Sequence, residues 1–253
     1  MRTSPIARLA IVASLFASSL AAPAAPAIAY SGPTGDGDVG TTVVGGVSAT
    51  ENYSFMVYVS GCTGSLIKAN WVVTAKHCSN PSSVRVGSIN RTSGGVVVSV
   101  VQVVNNPSAD VKLFRLASNV TFAPAPIPTT SGAVGTATRI IGWGQTCPTP
   151  GCGSAPTVAR QLDTSIRTDG SCSGINGPLE ICTNNTGGVA GACYGDSGGP
   201  QVKKIAGSTR WWLIGATSRA GNNSSTCATG PSIYSDLTAI RSWINTTVGG
   251  LPA

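Results

Sequence analysis

A single histidine, His77, stands in the segment Thr-Ala-Lys-His-Cys, directly after the apolar run 71–73. Imidazole is the side chain best suited to take up and return a proton near neutral pH. A lone histidine is more often structural, but here an apolar strand before it and Cys78 after it would fix its backbone. His77 is therefore the candidate general base.

A serine and a carboxylate could complete a nucleophilic centre around His77. Ser197 lies in the segment Gly-Asp-Ser-Gly-Gly-Pro (195–200), whose glycines would let backbone N–H groups converge beside the hydroxyl, as an oxyanion site requires. A serine is a weak nucleophile without a base, and His77 is the only histidine available. Asp110 opens the apolar run 111–116 and is the candidate to orient the imidazole. The alternative interpretation is an ordinary glycine-rich turn and a solvated aspartate.

Short β-branched runs separated by turn residues would position these side chains. The chain has 32 glycines and 16 prolines, which favours many turns between short strands. The pattern predicts an all-β barrel or sandwich. The predicted strands are 55–60, 71–74, 96–104, 111–116, 139–143, 211–217 and 232–234.

The segment 235–244 departs from this strand pattern. Leu237, Ile240, Trp243 and Ile244 recur at helical spacing. Residue 235 or 236, a serine and an aspartate, could cap the first turn. We therefore predict one C-terminal α-helix that packs on the β-structure.

The N-terminal 42 residues have the composition of processing segments. Residues 1–29 combine two arginines, an apolar stretch and the small-residue pattern Ala-Ile-Ala, which together predict a signal peptide. Residues 30–42 are glycine-rich and acidic without periodicity, so they are interpreted as a pro-segment. Export to an oxidising compartment makes disulfides the expected state of the eight cysteines.

Composition and charge argue against several functional classes. The chain is 42% hydrophobic and 10% charged, so it is not a charge-rich disordered protein. The formal charge is +7, but the arginines are scattered and do not form the basic patch of a nucleic-acid-binding protein. No run after the signal peptide is long enough to span a membrane. Cysteine and histidine spacing does not match a zinc site, and we expect neither a metal nor a cofactor.

Five motifs in order resemble the chymotrypsin/trypsin family of serine endopeptidases, and the resemblance extends from Val43 to about Val248. The composition suggests a secreted, bacterial-type member. The motifs are Val-Val-Gly-Gly (43–46), Thr-Ala-Lys-His-Cys (74–78), Asp-Val-Lys-Leu-Phe-Arg-Leu (110–116), Gly-Trp-Gly (142–144) and Gly-Asp-Ser-Gly-Gly-Pro (195–200).

The resemblance implies a fold and a set of roles. The fold would be two six-stranded antiparallel β-barrels, about 43–140 and 141–253, with the active site between them. Ser197 would be the nucleophile, His77 the base and Asp110 the orienting carboxylate, and the N–H groups of Gly195 and Ser197 would form the oxyanion hole. Cleavage after Thr42 would free the amine of Val43 to pair with Asp196, so the chain would be a zymogen.

The resemblance also implies disulfides and a specificity pocket. Gly191 would lie at the base of the pocket, where a carboxylate would select Arg or Lys, so we expect small-to-medium apolar residues at the substrate's P1 position. Arg219 replaces a tryptophan that is common in relatives. The implied disulfides are Cys62–Cys78, Cys172–Cys182, Cys193–Cys227 and, as the remaining pair, Cys147–Cys152. The other implied pocket residues are Ala192, Ser218, Ala220 and Ser232.

Three alternatives remain open at this point. The chain could be a non-catalytic secreted homologue that only binds proteins, an esterase or acyl transferase with the same acyl-enzyme chemistry, or a protease that cleaves after Arg or Lys. The expected partners are protein or peptide substrates, without nucleic acid or membrane after signal removal. We expect a secreted, extracellular monomer.

Overall fold

The computed structural model describes Met1 and residues 43–252. Beyond Met1, the predicted signal peptide and pro-segment lie outside the described residues. The described part is mostly β-structure, with one closed barrel, a second sheet and one C-terminal α-helix, which confirms the predicted fold class. No helix in this part of the chain is long and apolar enough to cross a membrane.

The first half of the fold is a closed barrel of six antiparallel strands in the order β2-β3-β4-β7-β6-β5. Its centre is filled by side chains with no solvent exposure, among them Met56, Leu66, Val72 and Phe114. The barrel strands are β2 (Met56–Val59), β3 (Cys62–Lys68), β4 (Trp71–Thr74), β5 (Ser83–Val86), β6 (Val96–Asn105) and β7 (Lys112–Leu116).

The register of β4 against β7 brings the two predicted proton-handling residues to one end of the barrel. Thr74, the last residue of β4, pairs with Lys112, the first residue of β7. His77 follows β4 by three residues and Asp110 precedes β7 by two. Because the strands are antiparallel, the chain leaves β4 where it enters β7.

The second half is a seven-stranded sheet in the order β1-β9-β8-β11-β12-β13-β10. It has one strand more than the family resemblance implies, because the two-residue β1 pairs with β9 at its edge. The strands are β1 (Val47–Ser48), β8 (Ala137–Gly142), β9 (Arg160–Ser165), β10 (Glu180–Thr183), β11 (Pro200–Lys204), β12 (Trp211–Ala220) and β13 (Ser232–Asp236).

The C-terminal helix begins later than predicted. Ser235 and Asp236 belong to β13, and α1 spans Arg241–Thr247. Asp236 Oδ1 accepts hydrogen bonds from the backbone N–H and hydroxyl of Thr238, at 2.8 and 2.6 Å. This local turn competes with helix formation and delays the helix start. Ile244 is still fully buried, as the helical pattern predicted.

Four disulfides cross-link the loops, and their pairs are those that the resemblance implies. Two of them flank the loops that carry His77 and Ser197, and the others close shorter loops of the second sheet. The pairs are Cys62–Cys78, Cys147–Cys152, Cys172–Cys182 and Cys193–Cys227.

Candidate active site

The structure brings His77, Asp110 and Ser197 into one hydrogen-bonded series. His77 Nδ1 lies 2.8 Å from Asp110 Oδ2, and His77 Nε2 lies 2.8 Å from Ser197 Oγ. The backbone N–H of His77 also donates to Asp110 Oδ1 at 3.1 Å. With Nδ1–H bonded to the carboxylate, Nε2 is free to accept the serine proton. The arrangement is that of an activated hydroxyl nucleophile.

Asp110 is held in its ionised form by its neighbours. Ser218 Oγ donates to Asp110 Oδ2 at 2.7 Å, in addition to the two bonds from His77. Burial raises the pKa of Asp110, but these hydrogen bonds and the His77 ring outweigh it and leave the pKa below its ordinary value. Ser218, predicted as a substrate-binding residue, thus contacts the orienting carboxylate directly.

The loop that carries Ser197 directs two backbone N–H groups away from the protein. The carbonyl of Tyr194 accepts a bond from Gln145 N–H at 2.7 Å, and the carbonyl of Asp196 accepts one from Gly199 N–H at 2.7 Å. A trans peptide points its N–H opposite to its C=O, so the N–H groups of Gly195 and Ser197 face the other way. They are therefore available to an oxyanion.

Gly195 is the residue type that this loop requires. Its φ is +100°, a backbone conformation that residues with a Cβ rarely adopt. A Cβ at this position would also lie 3.1 Å from Gly144 Cα and 3.2 Å from the carbonyl oxygen of Trp143. The Gly-Trp-Gly motif and the serine motif therefore meet at the oxyanion loop.

Asp196 lies beneath this loop as a buried carboxyl group. It is 3% exposed, and it accepts backbone bonds from Gly144 N–H at 2.8 Å and Cys193 N–H at 2.9 Å. Burial raises its pKa to about 6, although the two backbone bonds act in the opposite direction. Among the described residues, no cation forms an ion pair with it.

Val43 is buried within the second half of the fold. Its side chain is 1% exposed and packs in an apolar cluster that includes Tyr234. Burial raises the pKa of the Tyr234 phenol, and the charge of Asp196 adds to this effect. The next residue, Val44, accepts a backbone bond from Gly191 N–H at 2.9 Å. Residues 43 and 44 are thus anchored in the second half of the fold, and Val44 lies beside the predicted pocket base.

A cavity of about 390 Å³ opens beside Ser197. Ala192, Ser218, Ala220 and Ser232 line it, as the resemblance implies. Gly191 is buried just behind this wall, since a Cβ there would lie 3.7 Å from Ser232 Oγ. None of the described residues that line the cavity carries a carboxylate. The cavity is also lined by residues that no sequence motif indicated, which are Asn222, Ser224, Ser225, Thr226 and Ala228.

Arg219 forms a charged part of the cavity wall. Its guanidinium bonds both oxygens of Glu180, at 2.5 and 2.9 Å, and the carbonyl of Gly174 at 2.9 Å. This bidentate geometry fixes the arginine in a single orientation. An arginine held by an ion pair therefore occupies the position where the resemblance would place a tryptophan.

The metal-ligating side chains of the described residues are dispersed. Across Met1 and residues 43–252, no three His, Cys, Asp or Glu side chains lie close enough to hold a metal ion.

Comparison with known proteins identifies the family. The family model described as trypsin matches residues 43–244. Trypsin alpha-4 of Lucilia cuprina is 32% identical over 234 residues, covering 80% of this chain and 86% of that protein. Trypsin alpha of Drosophila erecta is 30% identical, with 83% and 88% covered. Trypsin 5G1 of Aedes aegypti is 28% identical, with 82% and 85% covered.

These relatives come from insects, so they do not support the bacterial-type membership that the composition suggested. The family match covers most of the chain and includes all three residues of the hydrogen-bonded series. The chain belongs to the trypsin family of serine proteases.

Proposed function

We propose that the chain is a secreted serine endopeptidase that cleaves peptide bonds through an acyl-enzyme on Ser197. The main support is the hydrogen-bonded series from Asp110 through His77 to Ser197, which lies at the mouth of a cavity. Each ring nitrogen of His77 is 2.8 Å from its partner oxygen. His77 removes the serine proton as Oγ attacks the carbonyl, and later returns it to the leaving amine. The N–H groups of Gly195 and Ser197 stabilise the tetrahedral oxyanion.

The substrate preference follows from the charge of the cavity wall. A substrate Arg or Lys side chain would bury its cation without a carboxylate partner, which costs several kcal/mol. Arg219 in the same wall is paired with Glu180 and offers no acceptor to a substrate cation. Ala220 and Ser232 narrow the cavity, so we propose a preference for small-to-medium apolar P1 residues such as Leu, Val, Ala or Met. The discrimination per methylene is about 1–3 kcal/mol.

We further propose that the chain is made as a zymogen activated by cleavage after Thr42. Among the described residues no cation forms an ion pair with the buried carboxyl group of Asp196, and the freed amine of Val43 would supply one. The backbone of Val43 supports this: its φ of +38° is unfavourable for a β-branched residue. Cleavage removes the preceding carbonyl and with it this strain.

Secretion is supported by the signal-peptide pattern of residues 1–29 and by the disulfides. Four disulfides with no free cysteine among the described residues are typical of proteins that fold in an oxidising compartment.

The deciding experiment is cleavage of a mixed peptide library by protein that begins at Val43, with Ser197→Ala as the control. We expect cuts after apolar residues, which the control lacks. Cuts after Arg or Lys would keep the mechanism and overturn the pocket assignment. If correctly folded protein makes no cuts, the chain is a non-catalytic homologue.

A further inference from the structure

Lys112 is a lysine buried behind His77, and the mechanism above does not use it. It begins β7, two residues after Asp110, and only 2% of it is exposed. Lysine is almost never buried to this extent unless its ammonium group has partners. Its contacts therefore show what the burial serves.

The ammonium group of Lys112 is bonded to the segment that directly follows His77. Nζ donates to the carbonyl oxygen of Cys78, to that of Ser79 at 3.2 Å, and to Oδ1 of Asn80 at 2.5 Å. An ammonium has three N–H donors, so three acceptors satisfy it completely. All three acceptors are neutral, and the positive charge is therefore not cancelled within this contact.

Two side chains from the same short stretch thus hold the histidine turn. Asp110 bonds the backbone N–H and the ring of His77, and Lys112 bonds the next three residues. Residues 77–80 are fixed to the start of β7 from both sides. A shift of this turn would move the imidazole nitrogens relative to Ser197, and catalysis is sensitive to such shifts.

The charge of Lys112 also reaches the catalytic carboxylate. Burial lowers the pKa of Lys112, and the carboxylate of Asp110 acts against that lowering, so the two charges interact. Arg219 also interacts with Asp110, but the charge of Arg219 is paired with that of Glu180. Lys76, next to His77 in the chain, donates to the carbonyl of Asn106 at 3.1 Å. Of these three cations, Lys112 alone is buried.

We propose that Lys112 is a positioning residue for His77, which fixes the 77–80 turn to the start of β7 through the three hydrogen bonds of its ammonium group. This inference rests on the proposed peptidase function. The cation also favours the ionised form of Asp110, which bonds the His77 ring. Without the three bonds of Lys112 the turn would loosen, and the imidazole would be held less well in line with Ser197.

The test compares Lys112→Met and Lys112→Gln in protein that begins at Val43, using a peptide that the unsubstituted protein cleaves. Met removes donors and charge, whereas Gln retains two N–H donors without charge. Lys112→Met should lower kcat about tenfold with KM within about twofold, and Lys112→Gln should recover part of kcat.

Lys68→Met is the matched control, because Lys68 Nζ also clamps two successive carbonyls, those of Val248 at 2.7 Å and Gly249 at 3.0 Å. Its kcat should be unchanged. The kcat values are taken per mole of folded protein, measured by circular dichroism, and Lys112→Gln decides if the Met variant does not fold. An unchanged kcat in the Lys112 variants, or an equal fall of kcat in Lys68→Met, overturns the inference. An inactive unsubstituted protein instead overturns the proposed function.

Discussion

The two halves of the active site differ in how they balance their buried carboxyl groups. On the barrel side, Asp110 receives hydrogen bonds from His77 and Ser218, and its pKa lies below the ordinary value. On the side of the second sheet, Asp196 receives two backbone bonds, and its pKa is raised to about 6 by burial. One carboxylate is stabilised by its surroundings, and the other is destabilised.

This difference indicates which half the proposed zymogen cleavage would act on. The pair of His77 and Asp110 lies in the barrel half, where the two residues flank the paired strands β4 and β7. The oxyanion loop lies above a carboxyl group that lacks a cation among the described residues, so its stability depends on a charge supplied from elsewhere. In the proposed zymogen, cleavage after Thr42 supplies that charge and acts on the oxyanion loop alone.

The largest expected effect comes from removing the charge of Asp196 in protein that begins at Val43. Asp196→Asn abolishes the ion pair with the new amine and loosens the loop that holds the N–H groups of Gly195 and Ser197. Loss of oxyanion stabilisation costs about 10²–10³ in kcat. Steady-state kinetics on a cleaved peptide measure the effect, and protein that begins at Tyr30 should show a similar deficit.

Asp163→Asn is the matched control, because Asp163 pairs with Arg139 at 2.6 Å and its side chain is 71% exposed. Exposed ion pairs contribute little, so kcat should stay within about twofold. Equal activity of the Tyr30 and Val43 forms would remove the regulatory difference between the two halves.

The next effect is a pH dependence of stability that only the unprocessed chain should show. The pKa of Asp196 in the folded state is raised from 3.8 to about 6. Its protonated form therefore contributes stability that is fully present below pH 4 and is lost as the pH rises through 6. The loss amounts to about 3 kcal/mol, since each pKa unit is worth about 1.4 kcal/mol. In the processed form the Val43 amine keeps Asp196 ionised, so this loss should be absent.

Urea unfolding at pH 4 and pH 7 measures this effect, with both forms carrying Ser197→Ala to prevent self-cleavage. Asp110 has a lowered pKa, so its contribution is lost as the pH falls, but it is common to both forms and cancels in the difference. If the difference between the forms does not change with pH, the buried carboxyl group is not the element that processing acts on.

The residues of the hydrogen-bonded series could be predicted from the sequence because each has a distinctive local context. His77 is the only histidine, and Ser197 lies in a glycine-rich segment whose turn the structure shows. The strand that precedes His77 and the strand that follows Asp110 were both recognisable from their apolar residues. Short-range patterns were therefore enough to name the residues, although not to give their distances.

Features that depend on long-range packing could not be predicted in this way. Strand β3 contains a glycine and polar residues that are buried only because the barrel closes around them. The strands β5, β9, β10 and β11 have similarly mixed sequences. The burial of Lys112 also left no local signal, because its acceptors lie more than 30 residues away in the chain. The helix start was placed too early because Asp236 stabilises a turn instead.

The smallest expected effect concerns Thr63, which connects the two halves. Thr63 is fully buried in β3, its hydroxyl donates to the carbonyl of Gly195 at 3.0 Å, and its N–H donates to that of Ser197 at 2.9 Å. Thr63→Val keeps the shape but leaves the Gly195 carbonyl without this donor, which costs about 1–3 kcal/mol of stability. Because the bond crosses to the oxyanion loop, kcat should also fall about threefold.

Thr183→Val separates these two effects. Thr183 is 1% exposed and its hydroxyl donates to Gln201 at 3.1 Å, so the bond that it loses lies within the second sheet. Urea unfolding should show a comparable loss of stability in both variants, whereas peptide kinetics should show a fall in kcat for Thr63→Val alone. An equal kcat in the two variants would mean that the barrel supports the oxyanion loop only through general stability. A selective fall would mean that the barrel itself holds one side of the loop that the proposed processing would order.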